Sequence, residues 1–99
     1  MKKPHSSFSQ ALQRVRKARG ITQEDFDLIS SRTYISALER GIKQPTLPKV
    51  DEFAAHIKIH PLTLLTLSYL SKGGANDLAV LQARVSDEVL AILAAAPSK

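Results

Sequence analysis

At 99 residues the chain has room for one compact domain and at most a short appended element. Hydrophobic residues make up 43%, enough for a modest core, and the lack of cysteine excludes disulfides and thiolate metal sites, which fits a reducing cytoplasm. The net charge of +5 is lopsided: residues 1–49 hold ten Lys/Arg against four Asp/Glu, residues 50–99 four against five, so a polyanionic partner is expected for the first half.

The basic start, Met1 to His5, has no apolar run behind it, so no secretion signal is expected. No stretch approaches the roughly 18 consecutive apolar residues of a membrane span. Phe8 to Arg19 places Phe8, Ala11, Leu12, Val15 and Ala18 at spacings of three and four, which predicts an amphipathic helix capped by Ser7 and stopped by Gly20. Thr22-Gln23-Glu24-Asp25 opens a short second helix, its acids favouring the positive end, with Phe26, Leu28 and Ile29 inward. Ser30-Ser31 breaks the pattern, and Ser31 caps a third helix to about Arg40, ended by Gly41, with Ile35 and Leu38 on its inner face.

After the Gln44-Pro45 turn, Thr46 caps a fourth helix with Pro48 in its first turn and Val50, Phe53, Ala54 and Ile57 as its stripe. His60-Pro61 starts a fifth, leucine-rich helix to about Leu70. Lys72-Gly73-Gly74 reads as a linker, and Asn76 as the cap of an amphipathic segment from Asp77 to about Ala95, which Ser86-Asp87-Glu88 could split in two. The fold class expected is therefore all-α: a compact five-helix bundle containing a helix-turn-helix, plus a C-terminal amphipathic helix or helix pair. Residues 1–72 are expected to form the main helical domain, and 73–99 a helical extension.

Two short helices joined by a tight turn, the second capped and polar on one face, suit the major groove of double-stranded DNA. The block Gly20-Ile21-Thr22-Gln23-Glu24, then Arg32-Thr33-Tyr34-Ile35-Ser36-Ala37-Leu38-Glu39-Arg40-Gly41, then Pro45, resembles the lambda-repressor-like helix-turn-helix regulators of the Cro or xenobiotic-response-element type. That resemblance covers residues 8 to about 70. It implies a transcriptional regulator whose base-reading positions fall on Arg32, Thr33 and Ala37, with Ser36 adjacent. Arg32 suits a bidentate bond to guanine, Thr33 a hydroxyl or methyl contact, and Ala37 a thymine methyl. The plain alternatives are a solvated helix-start arginine at 32 and merely exposed hydroxyls at Thr33 and Ser36.

The phosphate contacts expected are Gln23, Ser31, Tyr34, Arg40 and Lys43, with Lys2 and Lys3 as a flexible arm; such contacts position the protein without reading sequence. For Gln23 a capping role is the alternative. The resemblance also implies a structural ion pair between Arg16 and Glu39. One departure stands out. The count from Gln23 to Tyr34 is two short of the family norm, the turn glycine is missing, and Asp27 replaces a small alanine. Two residues are about 3 Å of helix, so the second helix is expected to be clipped.

No nucleophile elbow, phosphate loop or His-Glu-x-x-His motif is present, so no catalysis, cofactor or metal is expected; Pro61 keeps His56 and His60 from sharing one helix face. Leu67, Leu70, Leu78, Leu81, Val85, Val89 and Ile92 are the residues expected at a homodimer interface, with a palindromic operator read by a cytoplasmic repressor. The rival reading is an antitoxin-type protein that binds a protein partner through its C-terminal segment and autoregulates its operon.

Overall fold

Residues 7–70 and 73–95 are described by the computed structural model, and every regular element among them is helical. Lys2, Lys3 and Lys72 lie outside the described residues. Helix α1, Phe8–Arg19, buries Phe8, Ala11, Leu12 and Val15, the stripe their spacing predicts, whereas Ala18 is exposed. Ser7 begins it without a side-chain cap; its amide instead donates to the Ser68 carbonyl at 2.8 Å. At the other end Gly20 takes a φ of 66°, which lets the Ile21 amide return to the Arg16 carbonyl at 2.9 Å.

The second element is clipped to a single 3-10 segment, Gln23–Phe26, whose start is secured by the Asp25 carboxylate accepting from the Thr22 amide at 2.7 Å. The chain then turns through Ile29. This overturns the expected inward position of Leu28, which is 91% exposed, because the helical period ends before it; Phe26 is buried and Ile29 packs on the core.

Helix α2, Arg32–Glu39, follows Ser31, whose Oγ accepts from the Tyr34 amide at 3.1 Å. It stops at Gly41, φ 76°, where the Ile42 amide reaches the Ala37 carbonyl at 2.9 Å. Helix α3, Leu47–His56, is capped by Thr46 and carries Pro48 in its first turn, where no backbone donor is needed. Helix α4, Pro61–Leu70, has His60 at its start, Nδ1 accepting from the Leu62 amide at 3.0 Å.

These elements close around Phe53. Its ring meets Phe26 edge-on at 5.3 Å and Phe8 at 6.4 Å between centroids. Leu12, Ile35, Leu38, Val50 and Leu64 complete the buried cluster.

Helix α5, Ala75–Ala94, is a single 20-residue rod that buries no residue of its own. Two expectations are corrected here. The helix starts before Asn76, because the Asp77 carboxylate accepts from the Gly74 amide at 2.9 Å and so fixes an earlier first turn. Ser86-Asp87-Glu88 does not split it, and Arg84 pairs with Glu88 at 3.2 Å across that stretch. The radius of gyration, 15.5 Å, exceeds the roughly 13 Å of a compact chain this long, and the longest dimension is 47 Å, as a projecting rod requires. No helix among the described residues is long and apolar enough to cross a membrane.

Candidate nucleic-acid interface

Helix α2 is only eight residues long, so its orientation depends on what grips its two ends. At its C-terminal end Glu39 is buried, and its carboxylate receives three donors. Arg16 on α1 supplies two of them, Nε to Oε2 at 2.5 Å and Nη2 to Oε1 at 2.7 Å; Gln23 Nε2 adds a third to Oε1 at 3.0 Å. Arg16 Nη1 also donates to the Ile21 carbonyl at 3.1 Å, and Gln13 Nε2 to the Glu39 carbonyl at 2.7 Å. A planar guanidinium clamped this way joins α1, the loop after it and α2 in one network. The hydrogen bond that Arg16 donates to Glu39 is the main cause that raises its pKa above the ordinary value, its partial burial acting the other way.

The short 3-10 segment is held from the opposite side by α3. Lys49 Nζ donates to the Ile29 carbonyl at 2.9 Å and to Glu52 at the same distance. His56 Nε2 meets the Asp25 carbonyl at 2.6 Å; a carbonyl only accepts, so the ring nitrogen carries the proton. A clipped helix leaves carbonyls without intrahelical partners, and these two side chains satisfy two of them. Neither role was anticipated. The signal is tertiary: nothing near Lys49 or His56 in the sequence indicates which turn carbonyl each will reach.

The outward arc of α2 carries Arg32, Thr33 and Ser36, which span about 100° at 3.6 residues per turn. Arg32 and Thr33 are exposed and Ser36 half-buried. Ala37 is only 6% exposed, at the edge where the arc meets the core, so its methyl is withdrawn from the surface expected to meet a thymine. The Arg32 side chain, 55% exposed, brings its guanidinium near two acids, Glu24 of the clipped segment at 3.4 Å and Asp27 at its end at 3.7 Å.

The residues expected at phosphates divide three ways. Arg40 and Lys43 are exposed on either side of Gly41, and Ser31 is exposed with its hydroxyl oxygen already accepting from Tyr34. Tyr34 is half-buried, its ring 5.8 Å from Lys49 Nζ. Gln23 turns its amide inward to Glu39. Of the residues expected at a dimer interface, Leu67 packs against the core and Leu70, Leu78 and Leu81 are half-buried, whereas Val85, Val89 and Ile92 are exposed.

A clamped, capped helix with a polar outward arc and a basic C-terminal flank is the geometry of a helix presented to a nucleic-acid groove. No curated protein and no solved structure gives a significant match to the chain. The helix-turn-helix family profile matches residues 12–64, more than half the length, from the second turn of α1 to the first turn of α4. The chain therefore belongs to the lambda-repressor/Cro-like helix-turn-helix family, whose members are typically non-enzymatic, and is a DNA-binding transcriptional regulator.

Proposed function

We propose that the chain acts as a cytoplasmic homodimeric repressor that reads a palindromic operator through the outward arc of α2 and blocks promoter access. Residues 1–72 supply the reader and residues 73–99 the dimerisation element. The observation carrying this reading is the exposure of Arg32 and Thr33 on a helix whose C-terminal end is fixed by the buried Arg16–Glu39 pair. Arg32 takes a guanine edge, Thr33 and Ser36 add hydroxyl contacts, and Arg40, Lys43 and Ser31 hold phosphates. Two copies place two such arcs one helical turn of DNA apart, about 34–36 Å.

Selection of bound fragments from random duplex DNA at low salt tests this. The expected product is an inverted repeat with half-sites about 10–10.5 base pairs apart, centre to centre. Recovery of fragments with no sequence in common would overturn it.

A further inference from the structure

We infer that two copies pair through α5 in antiparallel fashion, with the two-fold axis passing beside Val85. Five apolar residues of α5 form a stripe that is symmetric in sequence about this position. Leu81 and Val89 stand four residues to either side, and Leu78 and Ile92 seven. At 100° per residue all five fall within an arc of about 80°, centred on Val85. A stripe that reads the same in both directions is self-complementary when one copy is reversed, which is the requirement of an isologous two-fold interface. Leu78 of one copy then meets Ile92 of the other, and Leu81 meets Val89.

The shape of each subunit suits that register. An open groove runs between α4 and the first half of α5, lined by Leu62, Leu65, Tyr69, Leu78, Leu81 and Val85. The second half of α5 projects from the same subunit with Val89 and Ile92, the stripe's far end, exposed. Reversal about Val85 lays the projecting half of each copy along the groove of the other, so both apolar surfaces are covered at once. Charge agrees as well. Arg84 and Glu88 occupy one flank of the stripe, and the two-fold brings the Arg84 of one copy alongside the Glu88 of the other. A parallel pair would instead carry the two Arg84–Glu88 flanks to opposite sides of the dimer.

This interface rests on the dimeric part of the function proposed above, and its test needs no DNA. The chain has no cysteine, so each introduced thiol reports alone. The full-length chain sediments as a dimer at micromolar concentration. Under mild oxidation Val85→Cys shifts to covalent-dimer mass on a denaturing gel. Leu78→Cys and Ile92→Cys each remain monomeric alone and cross-link when mixed. Sedimentation as a monomer overturns the inference, as does linking of Leu78→Cys alone as readily as Val85→Cys, the mark of a parallel pair. A Val85→Cys dimer that cross-links but selects no DNA sequence supports this interface while removing the operator reading.

Discussion

Arg16 and Glu39 meet in a bidentate pair across 23 residues of sequence, and the carboxylate is the more deeply buried partner, 6% exposed against 18% for the arginine side chain. The asymmetry sets the consequence of breaking it. Removing Arg16 leaves a buried carboxylate with Gln23 as its remaining side-chain donor; removing Glu39 leaves a guanidinium that can still turn toward water and the Ile21 carbonyl.

Arg16→Ala is accordingly expected to cost about 3–5 kcal/mol in urea unfolding, as for other broken buried pairs. Glu39→Gln, which keeps an acceptor in place, is expected to cost about 1–3 kcal/mol. The Arg16 pKa is raised on folding, so its contribution is complete at every pH below its ordinary value and declines only as strong alkali removes the proton. The loss in Arg16→Ala should therefore be equal at neutral and mildly alkaline pH, and a difference that grows across that interval would contradict the assignment.

Lys49 and His56 support the clipped segment by donating to the Ile29 and Asp25 carbonyls. Lys49→Ala is expected to cost about 1.5–3 kcal/mol, a charged donor being lost, and His56→Ala about 1–2 kcal/mol. Hydrogen exchange locates the effect. The amides of Asp27, Ile29 and Ser30, which bond back to Glu24 and Phe26, should lose protection first. Uniform loss across α1 and α4 would mean that the two side chains act on the whole core instead.

The contrast between these two networks shows what the sequence makes legible. Ser31 and Thr46 as caps, and Gly20 and Gly41 as stops, follow from backbone constraints local to each residue, and all four occur as expected. The clipping was visible in the short count from Gln23 to Tyr34, but its form was not; a 3-10 segment shifts every later side chain, which is why Leu28 faces water. Ala37 was ambiguous for another reason. Its small apolar side chain suits both a core edge and a thymine contact, and only the packing of α2 decides between them.

Lys58 ends α3 at a φ of 63°, the one non-glycine residue with positive φ among those described. For an L-residue with a side chain this conformation costs about 1–2 kcal/mol. The same turn geometry is met by glycine at the ends of α1 and α2. Lys58→Gly is expected to raise stability by about 1 kcal/mol, part of the relieved strain being offset by the greater entropy of the unfolded chain. Thermal unfolding with an unchanged or lower midpoint would show that the lysine side chain makes a compensating contact.

Arg32 separates reading from holding. In the free protein it lies within reach of Glu24 and Asp27, all three side chains being at least half exposed, so these pairs contribute at most about 1 kcal/mol to stability. Arg32→Ala should thus unfold much like the parent, yet lose about 1–3 kcal/mol on the selected operator and tolerate substitution at one base pair of each half-site. Arg40→Ala and Lys43→Ala should weaken every DNA sequence alike and lower the slope of log affinity against log salt by about 1 each. Asp27→Asn should act the opposite way. It removes the farther of the two carboxylates beside the reader, leaving Glu24, and strengthens binding to all sequences at low salt, an advantage that fades as salt screens the charge. If Arg32→Ala instead weakened specific and random DNA equally, Arg32 would be a phosphate contact, and base reading would fall to Thr33 and Ser36.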